Sequence, residues 1–460
     1  MKADKIHVLS NMPIVRAIFV LAFPTILSML VQVLYNLTDT YFIGKLNDPL
    51  QVAAITIALP IYMLQMALAG IFGAGGASYI SRLLGKKEYT LASETVSTSI
   101  LSTILLSLVF GLSGYFSLSL ILPLFGTGAQ TSAYAYEYLK IILLGSPVLM
   151  LNFALSQMVR AEGAAKISMF GMFLGTGLNI ILDPIFILYL GMGVRGAAIA
   201  TLIGSGSAML YYLYFYVSRH SIIPPKFNVL HIRKAVYWEI FKIGIPASLS
   251  QIMMSIGSSI SYRLAAVYAD EYVAALGVAM RVFSLPIFIF IGLSIGIQPL
   301  IGYCYGAKLY HRMRESIIRA LQISLLGAAF FIVIVALFPE ALMKAFIRHP
   351  QVVQTGVSIL RSYVFATPFA ATGMILMVSL QAMGKALPSL IVALSRQGFI
   401  YIPAIFFLNH HWGFVGLVSA LPVADAGTVL ISATFNYLIL KKLPRIDIGL
   451  DSNSTLSQIA

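Results

Sequence analysis

The residues able to do chemistry in this chain sit where its sequence is most hydrophobic. Asp39 closes the first long apolar segment, in Asn36-Leu37-Thr38-Asp39-Thr40-Tyr41-Phe42-Ile43-Gly44. A carboxylate in hydrocarbon is unfavourable by about 2.5–3.5 kcal/mol even on the lenient insertion scale. Counting back at helical spacing places Tyr35, Gln32 and Ser28 on the same face, with Val, Leu, Ile and Met opposite. A polar stripe of this kind borders a water-filled cavity or a bundle interior; the plainer alternative is a buried packing contact. A second acid, Asp183, ends the run Asn179-Ile180-Ile181-Leu182-Asp183-Pro184. Asn179 and Asp183 are i, i+4, and Thr176 lies a turn earlier on that face. Asn152 and Ser156 on the fourth predicted helix and Thr201 on the sixth could complete one cluster. Desolvation and mutual repulsion oppose charging of two such carboxylates, so the pair can exchange a proton near neutral pH and attract a cation when ionised. Against this, Asn152 and Thr201 could serve ordinary interhelical hydrogen bonds, and Asp183 could satisfy backbone freed beside Pro184.

The second half of the chain carries Asp425 in mid-span, with Arg281, Arg361 and Arg396 also inside apolar stretches. An internal ion pair between Asp425 and one of these arginines is expected, a second proton or cation site being the alternative. Pro24, eleven residues before Tyr35, is a candidate hinge in the first helix. The expected substrate contacts are Asp39, Tyr35, Gln32, Asn36, Met150, Asn152, Ser156 and Asn179, because Met and aromatic side chains adapt to varied apolar ligands. No GxxxxGK[ST] run, Gly-x-Ser-x-Gly elbow or zinc motif occurs, and the seven histidines lack metal spacing. An enzyme, a metal site and an organic cofactor are therefore not expected.

These residues need elements to hold them. The chain has 460 residues, 59% of them hydrophobic and 10% charged, with mean hydropathy +0.91. Soluble proteins carry roughly 25% charged residues, so the composition points to a polytopic, all-α membrane protein. The N-terminal residues lack a signal-peptide pattern. The single cysteine, Cys304, excludes an intrachain disulfide. The net charge of +14 is concentrated in alternate loops, which follows the positive-inside rule rather than nucleic-acid binding. Both termini are thereby expected in the cytoplasm, with a multi-pass chain in the cell membrane as its setting. Twelve helices are predicted, at 14–44, 51–83, 91–123, 131–159, 167–189, 193–217, 239–268, 273–303, 314–345, 353–382, 388–408 and 413–440. They form a lobe over 1–218, a cytoplasmic linker over 219–237 and a lobe over 238–460. The halves repeat: Phe23-Pro24 recurs as Ile245-Pro246, Leu27-Ser28 as Leu249-Ser250, and Leu84-Gly85-Lys86 as Tyr305-Gly306-Ala307. Gln32, Tyr35 and Asp39 correspond to Met254, Gly257 and Ser261, so the acidic pair belongs to the first half alone. Six helices per repeat is an even number, which relates the two bundles by a pseudo-two-fold along the membrane normal and suits alternating access.

With this double repeat, Asp-Thr-Tyr-Phe-Ile-Gly at 39–44 and Gln-x-x-Arg-Ala-x-Gly at 157–163, the chain resembles the MATE (multidrug and toxic compound extrusion) family over nearly its whole length. Asn-x-x-x-Asp-Pro at 179–184 is similar to the DinF/MepA-like prokaryotic branch. The resemblance implies efflux of cationic amphipathic drugs or dyes in exchange for protons, or alternatively sodium. It also implies a cation-binding cluster matching Tyr35, Asp39, Asn152, Asn179, Asp183 and Thr201. The NorM-like branch places an acidic pair on helices seven and ten; here those helices offer Ser250, Gln251 and Thr372 instead, which argues against a site of that kind. A monomer in the lipid bilayer is expected. The alternative reading is a lipid-linked oligosaccharide flippase of the same superfamily, which would need a cationic cavity for the pyrophosphate.

Overall fold

The computed structural model describes residues 2–46, 48–125, 128–218, 220–225, 233–444 and 447; within its helices the side chains of 2–4, 36, 37, 39, 40, 124, 125, 129 and 270 lie outside that description. The described residues are almost entirely helical and contain no strand. In hydrocarbon every backbone N–H and C=O must be satisfied within its own segment, and the helix does this.

Helix α1 (Lys2–Ser10) precedes the first span, α2 (Ile14–Gly44). There follow α3 (Pro49–Gly85), α4 (Tyr89–Ile121), α5 (Ala129–Leu144), α6 (Ser146–Ala161), α7 (Ala165–Asp183) and α8 (Gly193–Val217). The second repeat comprises α9 (Lys234–Ala266), α10 (Asp270–Gly306), α11 (Tyr310–Leu337), α12 (Pro339–Lys344), α13 (Pro350–Ala382), α14 (Ala386–Leu394) and α15 (Tyr401–Lys442). Helices α5 and α6 together make one crossing, bent by 56°. The sequence predicts this crossing to be continuous over 131–159. It breaks at Gly145-Ser146-Pro147, because proline cannot continue the ladder and a side chain at Gly145 would strike Leu202. At the other end of the chain, Ala386–Lys442 covers 57 residues. That is about 85 Å of helix, too long for one crossing, and the run reverses at Gly413, whose φ of 59° suits glycine. Two further spans result, and the crossings number twelve among the described residues. The expected ninth helix, 314–345, ends at Leu337 because Pro339 starts α12. Part of the expected linker is helix, since α9 begins at Lys234; residues 226–232 lie outside the described residues.

The repeat is written into the backbone. Lys87 and Lys308 both take positive φ, at 62° and 58°, in the turns that end α3 and α10. Gly163 and Gly384 do the same, at 77° and 71°, in the turns that follow the two Gln-containing segments.

Two compact units form, and they differ from the sequence boundaries in one informative way. Lobe 1 comprises Met1–Val8 and Leu27–Ser248, and lobe 2 comprises Leu9–Ile26 and Leu249–Ala460. Helix α2 therefore changes lobe two residues after Pro24, and α9 changes lobe two residues after Pro246. Glycine makes each exchange possible. Within lobe 2, side chains at Gly292 and Gly296 would lie 2.6 and 2.5 Å from the Cα atoms of Ile26 and Ala22. Within lobe 1, Gly75 lies against the backbone of Ile240, and Gly244 against that of Ile71. Small residues let backbones approach closely where lipid provides no hydrophobic drive between helices.

Candidate ion and substrate site

The site is built where α7 crosses α8. A Cβ on Gly175 would be 2.9 Å from the Gly204 carbonyl oxygen, and one on Gly204 would be 2.5 Å from that of Gly175. This close crossing sets Asn179, one turn beyond Gly175, against Thr201, one turn before Gly204. With its amide turned to satisfy both ends, Asn179 donates to Asp183 Oδ2 at 3.1 Å and accepts from the Thr201 amide at 3.0 Å. Thr201 Oγ1 meets the Tyr35 hydroxyl at 3.3 Å, so three helices share one network. Asp183 is fully buried and Asn179 is 3% exposed. Pro184 follows at once and opens a π-helical turn, Pro184–Tyr189, because its missing N–H breaks the α-helical ladder at that point.

This network floors a cavity of about 130 Å³ in lobe 1. Each helix contributes a stripe at i, i+3 or i, i+4. Gln32 and Tyr35 come from α2, Tyr62 and Met66 from α3, and Leu149, Asn152, Phe153 and Ser156 from α6. Met172, Gly175, Thr176 and Asn179 come from α7, and Thr201, Ser205, Ala208 and Tyr212 from α8. Asn152 Oδ1 is buried without a hydrogen-bond partner among the described residues. An acceptor left open in a cavity wall is a place for a cation or a water that carries one, since a buried polar group with no partner costs about 1–3 kcal/mol.

Of the expected residues, the structure brings together Gln32, Tyr35, Asn152, Ser156, Asn179 and Thr201 on the wall, with Asp183 directly behind Asn179. Asp39 and Asn36 lie on α2, but their side chains are outside the described residues. Met150 is a correction. It is fully buried in lobe 1 and does not line the cavity, because it sits roughly 100° around α6 from the Leu149–Asn152–Phe153–Ser156 stripe. The sequence reading missed Tyr62, Met66, Phe153, Met172 and Tyr212. Met172 stands i, i+4 from Thr176 and Phe153 i, i+3 from Ser156, which is a signal in the sequence; Tyr62, Met66 and Tyr212 have no such spacing from an expected residue.

The MatE family model matches the chain twice, over residues 24–185 and 246–407, once in each repeat. The chain belongs to the MATE family. Multidrug export protein MepA of Staphylococcus aureus is 32% identical over 445 residues, covering 96% of this chain and 98% of that protein. MepA of Staphylococcus haemolyticus is likewise 32% identical over 445 residues, with the same coverage. The crystal structure of MATE in complex with MaL6 matches with TM-score 0.91 and 25% identity, covering 95% of this chain and 98% of that one. An outward-facing multidrug resistance MATE family transporter of the MOP superfamily matches with TM-score 0.85 and 26% identity, covering 93% and 96%.

The family's Gln-x-x-Arg-Ala-x-Gly segment is a structural brace beside the cavity. Arg160 donates to Gln157 Oε1 and to Ser168 Oγ, both at 2.7 Å, and Ser168 Oγ donates to the Ser156 carbonyl at 3.2 Å. This fixes α6 against α7. Within the same segment, just past the end of α6, stands Glu162, fully buried and outside the spans. Its two oxygens accept from Ser221 Oγ at 2.8 and 2.9 Å, and Oε2 also accepts from the Ile222 amide at 2.9 Å. Burial pushes this carboxyl above its ordinary 4.5, against the lowering pull of those donors and Lys5. Sequence reading passed over Glu162 because a charged residue next to a glycine turn reads as solvated.

In lobe 2 of this MATE chain the expected ion pair forms. Arg396 Nε donates to Asp425 Oδ1 at 2.7 Å. Arg281 and Arg361 are exposed instead and take no part in that pair.

Proposed function

We propose that the chain is a secondary active multidrug exporter that moves cationic amphipathic compounds outward in exchange for protons, by alternating access. The observation that carries this reading is the fully buried Asp183, engaged through Asn179 with Thr201 and Tyr35 behind a polar cavity. A carboxylate so placed can be neutralised by a proton, by a cationic substrate or by a metal cation, but not by two at once. Competition of that kind is the whole of antiport. The two MepA proteins, both named multidrug export proteins, support the export direction.

The present cavity of about 130 Å³ is smaller than the roughly 300–1,000 Å³ of drug-sized sites. It therefore suits an ion with water, and a drug requires lobe 1 to open. Pro24 supplies a place for this, since α2 changes lobe just after it and carries Gln32 and Tyr35 into the wall. In the outward-facing state, proton uptake at Asp183 and Asp39 expels the drug; in the inward-facing state, the proton leaves to the cytoplasm and drug reloads. No Lys or Arg lines the cavity among the described residues, which leaves a pyrophosphate without a partner and disfavours the flippase alternative.

The test uses purified protein in liposomes loaded with ethidium. Dye movement is expected under an imposed proton gradient. Movement under a sodium gradient alone would replace the proton with Na⁺ at the same oxygens, and no movement under either gradient would overturn the reading.

A further inference from the structure

The lobe 2 ion pair is incomplete as a structural contact. Arg396 holds Asp425 through Nε and Oδ1 alone. Asp425 Oδ2 is buried without a hydrogen-bond partner among the described residues. The closed form of an Arg–carboxylate contact is a fork, with two parallel N–H groups on two oxygens. Here only one of the two bonds is made. The two terminal nitrogens of Arg396 make no hydrogen bond among the described residues, and the side chain keeps 22% exposure while that of Asp425 keeps 1%. The free end of a guanidinium presents two parallel N–H groups that match a planar oxyanion.

The surroundings are arranged to the same end. Arg396 sits in a π-helical turn, Ser395–Phe399, on the fifth helix of its repeat. The fifth helix of the other repeat carries the π turn Pro184–Tyr189, directly after Asp183. Both repeats thus carry a π-helical turn in the same helix beside an ionisable group, of opposite sign, the first opened by Pro184 and the second without a proline. The positions that match Tyr35 and Asp39 are Gly257 and Ser261. Ser261 Oγ bonds the Tyr401 hydroxyl at 2.9 Å, and a Cβ on Gly257 would lie 3.0 Å from Tyr401 and 3.2 Å from Gln397 Oε1. The layer is polar, carries no acid of its own there, and sets Arg396 against Asp425 as its one counter-charge.

We propose that Arg396 is a binding site for the carboxylate of an amphipathic organic compound, with Asp425 as the resident counter-ion that keeps the guanidinium oriented when the site is empty. Arg396 lies about 15 Å along the helix from its start at Ala386, too deep for a lipid headgroup, so the ligand is a compound that enters the lobe. This deepens the export reading by adding a carboxylate to the substrate class, and it rests on that reading only for transport.

Binding tests it directly, by fluorescence anisotropy of purified full-length protein with a rhodamine bearing a free carboxylate and with its methyl ester. Asp425→Asn frees the guanidinium of its counter-charge and is expected to tighten the acid about tenfold relative to the ester. Combining Arg396→Gln with Asp425→Asn removes the site without stranding a buried charge, and is expected to weaken the acid about tenfold with the ester unchanged. A purely structural ion pair predicts the opposite pattern: the acid-to-ester ratio would stay at its wild-type value in both variants, and that result would overturn the proposal. The dependence of the acid on Arg396 decides this site, whereas the binding of the ester decides the lobe 1 reading.

Discussion

Proton-driven dye movement in liposomes is expected to fall by about two orders of magnitude or more in Asp183→Asn, with the protein still folded. Asp183 is fully buried and takes a hydrogen bond from Asn179. An Asn in its place keeps the shape and one acceptor, and Asn179 can turn its amide to suit, so the structural loss is limited to about one hydrogen bond, ~1 kcal/mol. What disappears is a buried charge that a proton can remove, which the proposed coupling requires at this position even with Asp39 in place. An uncoupled residual leak down the dye gradient would still be consistent with this account. Undiminished uphill movement driven by protons would not be.

The second large effect concerns Glu162. Replacement by Ala strands the Ser221 hydroxyl and the Ile222 amide in a buried site. Each unsatisfied group costs about 1–3 kcal/mol, so Glu162→Ala is expected to lower the thermal midpoint in detergent by several degrees. Its pH dependence has a definite sign. Burial raises the carboxyl above 4.5, so the folded state binds the proton more tightly than the unfolded chain does. The stabilisation is complete below pH 4.5 and is lost as pH rises through the raised folded value. Glu162→Gln removes that titration, and its midpoint is expected to vary less with pH over the same interval than that of wild type. Parallel curves for wild type and Glu162→Gln would refute the assignment.

Much of this architecture was legible in the chain because bilayer thickness and hydropathy constrain helix length so tightly. The twelve crossings and the repeat follow from apolar runs and matched prolines, and the Asn179–Asp183–Thr201 network follows from i, i+4 spacing on adjacent helices. What escaped depends on contacts distant in sequence or on the angle around a helix. Met150 has the right chemistry and the wrong azimuth. The exchange of lobes after Pro24 and Pro246 depends on Gly292, Gly296, Gly75 and Gly244 meeting helices far along the chain, which no local pattern reports. That Arg396, rather than Arg281 or Arg361, would pair with Asp425 required knowing which of the three faces inward. Glu162 is hidden for a related reason: its burial is created by residues 221 and 222, some sixty positions away.

The central claim is that drug and proton compete for the lobe 1 carboxylates, and the most direct measurement is proton release on drug binding. Purified protein in weak buffer near neutral pH would be titrated with ethidium while a pH indicator reports free protons. The account predicts that protons appear in step with dye binding, and that in Asp183→Asn the release falls or vanishes. Dye binding to wild type with no proton released, and without competition from Na⁺, would contradict it.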